Sequence, residues 1–259
     1  MWRGVCAALL LVGCRFNFDP VGSGPSDGSA APNDATDGPT TMTDGPPDAM
    51  VTPVVQAVSR DTASAAPVTI DTTNGLATVT PGNMVVVVCG GLNAPALCTP
   101  SSTPAATWTN IDPGSTLGVH VACNAPAITS VTVTNGGTAM NLVVTEWSGV
   151  VAAATCLDTK RISTPCATAP TTWDTGFTPT VSQNRELLVT VGRADAPDAG
   201  WTVDAPYQIG FDAKGVNSIV NVLVGYQKVD ASPMAYKATG TVNQYQFACF
   251  TDVFAFKAL

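Results

Sequence analysis

An all-β fold is what this sequence predicts: a single jelly-roll-like β-sandwich that follows a disordered linker. Three observations carry that expectation. Charged residues make up only 12% of the 259 positions, while valine and threonine abound. Sustained helical periodicity is absent. In its place stand short apolar or alternating runs bounded by Gly, Pro, Asn and Asp, which is the pattern of strands and turns.

Taken in order, the candidate strands are Val54–Ser59, Val68–Asp71, Leu76–Thr80, Met84–Cys89, Thr107–Ile111, Leu117–Cys123, Ser130–Thr134, Met140–Trp147, Glu186–Arg193, Tyr207–Phe211, Ser218–Val229, Ala235–Thr239 and Tyr245–Lys257. Met84–Cys89 contains four consecutive valines, a short apolar run of the kind that marks a strand. Ser130–Thr134 reads Ser-Val-Thr-Val-Thr, the alternation of a half-buried strand. Asn74-Gly75 and Asn135-Gly136 fall between runs and read as hairpin turns. Many short strands at close spacing suit a sandwich or jelly roll.

The chain also echoes itself. NMVVVV from Asn83, Trp108-Thr109, LGVHVAC, SVTVT and LVVTEWSGV recur in kind as NRELLVTV from Asn184, Trp201-Thr202, VLVGYQK, YKAT and FTDVFAFK. The expectation is two pseudo-equivalent sets of strands. The blocks LVVTEWSGV, ELLVTV and VFAFK resemble a jelly-roll module of secreted bacterial surface proteins. That resemblance spans roughly Val54 to Lys257. It implies the fold and an adhesin-like or carbohydrate-binding setting, and it carries over no functional residue.

The N-terminus has a different character. Arg3 precedes a nine-residue apolar run, Gly4 to Val12, and small Gly13 stands before Cys14. The order of charge, apolar run and small residue is that of a signal peptide, 1–13. The run is too short to span a bilayer, which takes roughly 20 apolar residues. Leu11-Val12-Gly13-Cys14 resembles the lipobox of bacterial lipoproteins. The resemblance implies cleavage before Cys14, a diacylglyceryl thioether on its sulfur and acylation (palmitate) of its amino group. Two or more acyl chains give stable anchoring where one does not. Arg15, rather than Asp, follows the cysteine, and in the sorting pattern of Gram-negative lipoproteins this implies the outer membrane.

Residues 14–52 form a lipidated cysteine and its linker. Beyond Cys14, 38 residues hold six aspartates and one arginine, which accounts for five of the chain's net eight negative charges. Gly, Pro, Ser, Thr, Ala and Asp leave almost nothing to bury, so disorder is expected. A flexible coil of that length spans roughly 35 Å. The aspartates are spaced too widely for a calcium loop.

The sandwich domain, 53–259, carries six cysteines: Cys89, Cys98, Cys123, Cys156, Cys166 and Cys249. An even count in an exported chain predicts three disulfides. Cys156–Cys166 and Cys89–Cys98 each flank a short loop, leaving Cys123–Cys249. The alternative joins Cys123 to Cys89 or Cys98 and leaves Cys249 buried. The spacings are too long for zinc pairs, and no metal or cofactor is expected.

Chemistry is thinly represented. His120 is the single histidine, expected to be solvated on its strand. No Gly-x-Ser-x-Gly elbow, Walker loop or dinucleotide-binding glycine pattern is present. Glu146 and Glu186 are the two glutamates, and a glycosidase would pair one with an acid such as Asp174, Asp204, Asp212 or Asp252. Trp173 and Trp201 lie near Pro- and Asp-rich loops and are expected to be exposed stacking faces for a ligand. The domain's 13 acids against 9 bases disfavour nucleic acid. The expected function is a non-catalytic, lipid-anchored envelope protein that binds glycan, peptidoglycan or a surface protein, or serves structurally. An extracellular polysaccharide hydrolase and a subunit of an envelope assembly are the alternatives.

Overall fold

The computed structural model describes residues 53–259, apart from 64–66, 92–97, 113–116, 135–138, 168–170, 197–198 and 246–247. The signal peptide, Cys14, the linker and the Asn135-Gly136 turn lie outside the described residues.

Sixteen strands occur among the described residues. The first eight are β1 (Val54–Thr62), β2 (Val68–Asp71), β3 (Met84–Gly91), β4 (Thr99–Thr103), β5 (Thr109–Asn110), β6 (Leu117–Ala122), β7 (Ser130–Thr134) and β8 (Met140–Trp147). The second eight are β9 (Leu157–Pro165), β10 (Thr172–Asp174), β11 (Arg185–Asp195), β12 (Trp201–Val203), β13 (Gln208–Ala213), β14 (Val220–Asp230), β15 (Thr239–Val242) and β16 (Cys249–Lys257). All pairings are antiparallel.

Strand order reveals the duplication. The first half forms a five-stranded sheet, β1-β8-β3-β6-β5, and a three-stranded sheet, β2-β7-β4. The second half forms β9-β16-β11-β14-β13 and β10-β15-β12, the same two orders advanced by eight strands. The expected all-β sandwich architecture with pseudo-equivalent halves is present, but each half closes as a sandwich of its own, so the expected single sandwich is two. Each half is an eight-stranded jelly roll with two sheets and its own core.

Alternation along the strands separates three apolar layers. Val85, Val87 and Leu142 face inward with Ile70, Val131 and Val133 to fill the first sandwich. Leu188, Ala194 and Ala255 do the same with Trp173, Trp201 and Val242 in the second. The opposite faces of the two five-stranded sheets meet each other through Val86, Val88, Trp147, Val189, Val222 and Phe254. The layers therefore run three strands, five, five and three. The inner strands of the two central sheets are buried on both faces, which explains the uninterrupted apolar run from Met84 to Cys89 and the similar run from Leu187 to Val191.

The two central sheets are close together. A Cβ on Gly90 would stand 2.7 Å from Val220 Cγ1 and 2.8 Å from Val222 Cγ2, so glycine is required where the sheets approach. Trp147 meets Tyr226 edge-on at 5.8 Å across the same layer. Asn141 crosses it too, its Nδ2 donating to Val220 O at 3.0 Å.

All six domain cysteines are paired: Cys89–Cys98, Cys123–Cys156 and Cys166–Cys249. Cys89–Cys98 is as expected. Cys156–Cys166 and Cys123–Cys249 are corrected, as is the alternative that left Cys249 unpaired. The residues between Cys156 and Cys166 are not a loop. They are the extended strand β9, which holds its two flanking cysteines roughly 30 Å apart at about 3.3 Å per residue. A disulfide needs Cα atoms within about 7 Å. Cys166 instead meets Cys249 on the adjacent strand, with a Cα separation of 5.3 Å. Cys156, at the start of the second half, reaches back to Cys123 of the first.

The strand expectations need smaller corrections. Leu76–Thr80 is an extended connection outside the ladders, tied by Val79 N to Ile128 O at 2.9 Å. Asn74-Gly75 closes a 3-10 turn capped by Asp71, with Gly75 left-handed at φ 98°, and it is not a hairpin loop. The segment expected at Ala235–Thr239 begins its strand at Thr239. Strands β4, β9, β10 and β12 are not among the candidate strands. They are short, or rich in Pro and charge, because they form the outer sheets and an edge.

Candidate functional site

Trp173 and Trp201 are not exposed stacking faces. They are 2% and 5% exposed and meet edge-to-face at 6.2 Å inside the second sandwich. The reason is local alternation. Thr172 and Asp174 point outward and force Trp173 inward; Thr202 does the same for Trp201. Glycines make the space: a Cβ on Gly240 would stand 2.6 Å from the Trp173 ring, and one on Gly192 2.9 Å from the Trp201 ring. Among the described residues the aromatic that stands exposed is Phe177, 60% exposed, with Lys237 Nζ 5.2 Å from its ring centroid.

His120 is also buried, contrary to expectation. Burial pulls its pKa below the ordinary histidine value, and outweighs a hydrogen bond with the Cys98 backbone that favours the charged form.

Both glutamates lie inside sandwiches. Glu146, near the end of β8, points into the first core on the face of Leu142 and Val144. Its carboxylate accepts from Gln56 Nε2 at 2.6 Å, Asn83 Nδ2 at 2.6 Å and the Thr80 amide at 2.9 Å. Three donors on one buried carboxylate make a satisfied polar plug.

Glu186 occupies the matching end of the second sandwich. It is the second residue of β11, opposite Lys257 of β16 and Val229 of β14. Both its carboxyl oxygens are buried and receive no N–H or hydroxyl donor. The group it meets is the carboxyl of Asp158 on β9. Burial, then the Asp158 charge and hydrogen bond, push Glu186 up to about 8, against the opposing pull of Lys257. Burial also acts on Asp158. It is outweighed there by the Ser182 hydroxyl and amide, by Glu186 and by Lys257, which together hold Asp158 below the usual aspartate value. Ser182 donates to Asp158 through both N and Oγ, and Lys257 Nζ stands 4.0 Å from Asp158 Oδ1. Tyr236 lies close enough for Glu186 to add to the upward shift that burial gives its phenol.

Asp158 is not one of the acids that the sequence offers as glutamate partners. Those acids are engaged elsewhere. Asp174 pairs with Lys237 at 2.7 Å, Asp212 with Lys214 at 2.7 Å, and Asp204 accepts from Thr239 Oγ1 at 2.7 Å. Asp252 is buried on β16. The signal for Asp158 is local alternation in Leu157-Asp158-Thr159, which becomes readable only once β9 is known to be a strand. A second buried charge pair, Arg193 with Asp195, is bidentate at 3.0 and 2.7 Å; burial still holds Asp195 above the ordinary aspartate value.

Among the described residues no group of three or more His, Cys, Asp or Glu is placed to hold a metal ion, and no helix is long and apolar enough to cross a membrane. No protein-family model, curated protein or solved structure matches this chain.

Proposed function

We infer that this chain is an exported lipoprotein, anchored through Cys14 in the bacterial envelope with the outer membrane favoured, and that its double sandwich is a non-catalytic binding or structural module. The observation that carries this reading is the fully paired set of six cysteines, which suits an oxidising compartment, behind the export and lipidation string LVGC. Substitution Cys14→Ala tests it. The variant is expected to leave the membrane fraction, and retention there overturns the anchor.

Glycan, peptidoglycan or a surface protein are the partners that fit an envelope-exposed acidic sandwich. Binding on a glycan array or in a cell-wall pull-down supports the ligand-binding version; silence in both leaves the structural one. Polysaccharide hydrolysis is disfavoured by geometry. Glu146 and Glu186 are each 1% exposed, so both carboxyls point into sandwich cores rather than flank a bond in a polysaccharide chain, as a glycosidase pair must. The assembly reading calls for a contiguous apolar face. Among the described residues the exposed large apolar side chains are Val55, Phe177, Ile209, Val216, Met234 and Leu259, drawn from separate loops, edge strands and the end of the chain.

A further inference from the structure

Glu186 enters the second sandwich on the face of Leu188 and Ala194. Every element packed around its carboxyl contributes one group. Strand β9 brings Asp158, β16 brings Lys257, the 231–238 segment brings Tyr236, and β14 brings apolar Val229. The exposed pair Arg185–Asp230, 3.6 Å apart, closes the same strand ends from the solvent side. Strand order β9-β16-β11 places Asp158 and Glu186 on either side of Lys257, which is 4.0 Å from Asp158 and directly opposite Glu186. Two neighbouring carboxyls, with no donor reaching Glu186, stay together when one of them carries a proton. Lys257 and the two Ser182 donors converge on Asp158, so the negative charge belongs there and the proton belongs on Glu186.

Asp158 also holds structure in place. Through Ser182 it ties the connection that leads into β11 to edge strand β9. The same connection carries the outer loop, since Val181 N donates to Met234 O at 3.1 Å and Thr178 N to Tyr236 O at 2.8 Å.

We propose that Glu186 and Asp158 share a single proton, and that this proton is a latch closing the Ser182 connection onto β9. With the proton present, Glu186 donates its O–H to Asp158, and Asp158 remains free to accept from Ser182. When a solvent base removes the proton, the Glu186 O–H bond breaks and two carboxylates face each other inside the sandwich. Their repulsion drives Asp158 outward, and the connection opens. The corner is therefore closed in neutral and mildly acidic surroundings and opens in alkaline ones.

The test uses the full chain. The Glu186 carboxyl is titrated by carbon NMR, and exchange of the Ser182 amide is followed at about pH 6 and about pH 9, corrected for intrinsic exchange. The Thr80 amide, bound to Glu146 in the first sandwich, is the internal control. The latch predicts a Glu186 midpoint far above an ordinary glutamate and a loss of Ser182 protection by about tenfold or more on going alkaline, one pKa unit being tenfold in proton occupancy. Thr80 should hold. In Glu186→Gln, Ser182 protection should become independent of pH. An ordinary Glu186 midpoint, or the same pH response in wild type and Glu186→Gln, overturns the proposal. Should Glu186→Gln not fold, Asp158→Asn decides. It replaces a negative neighbour with an amide donor, so the Glu186 midpoint must fall by about one unit or more. An unchanged midpoint overturns the latch.

Discussion

Glu146 and Glu186 occupy corresponding ends of two sandwiches with one topology, each pointing into its own core, yet their surroundings are opposite. Around Glu146 the first half has placed an amide side chain from β1, an amide side chain from Asn83 and a backbone N–H. Around Glu186 the second half has placed another acid and no donor. Matching ends of the two sandwiches, on β8 in the first and on β11 in the second, thus tolerate a buried carboxyl by two routes. One surrounds the charge with hydrogen-bond donors; the other keeps the group neutral. The first makes a permanent structural plug, the second a group that responds to pH.

Substitutions can break this comparison, and the largest effect belongs to the plug. Glu146→Ala removes the acceptor of three part-buried hydrogen bonds to a charged group and should destabilise the fold by about 3–5 kcal/mol, measured by denaturant unfolding. A loss under about 1 kcal/mol would show that the plug contributes little. Next come the disulfides. Cys166–Cys249 closes a separation of 83 residues and Cys89–Cys98 one of 9. Loop-closure entropy makes removal of the longer costlier by about 2 kcal/mol, and equal thermal shifts for the two Cys→Ala pairs would contradict that ranking.

Glu186→Gln should move stability the other way. Its folded pKa, about 8, lies above the ordinary 4.5. Its contribution is therefore fully present below the ordinary value and is lost as pH rises through the folded one. The variant should lack that decline and exceed wild type by roughly 1–3 kcal/mol at alkaline pH, the comparison being made by melting curves across pH. A wild-type advantage there would contradict the neutral-carboxyl account. Smallest is Ser182→Ala, which removes one partly exposed hydroxyl bond to Asp158 and should cost about 1 kcal/mol or less, read by the same melts.

Much of the fold is legible in the sequence because its physics is local. The valine run of β3 and the Ser-Val-Thr-Val-Thr of β7 announce their burial through period and composition. The blocks matched on β3 and β11, β6 and β14, and β8 and β16 announce the duplication, whereas Trp108-Thr109 and Trp201-Thr202 fall at β5 and β12, which are not counterparts. The outer strands are harder. Three to five residues such as Thr172–Asp174 or Thr99–Thr103 carry one inward side chain each, and their place is set by sheet pairing with distant strands. The tryptophans mislead for that reason: proximity to polar loops suggests exposure, although Thr-Trp-Asp already encodes an inward ring. The Glu186–Asp158 meeting is invisible because it depends on β9 and β11 flanking β16, a long-range adjacency. The corrected cysteine pairing has the same origin, since a stretch that reads as loop is a rigid strand.

The disulfides also have a mechanical meaning. Their loops follow one another along the chain, 89–98, 123–156 and 166–249, without crossing. A pull between the ends of the domain cannot lengthen any stretch enclosed by a bridge. It can peel β1 from its single neighbour β8, then β2 and the start of β3, before it reaches Cys89, where force passes through sulfur rather than through the backbone of the enclosed stretch. Strands β7 and β8, with β10 to β15, lie inside bridges and carry no load along their own chain. Oxidised, the domain should yield less than half of its contour length under force, because 122 of residues 53–259 lie between bridged cysteines; reduced, the same pull should draw out most of both sandwiches.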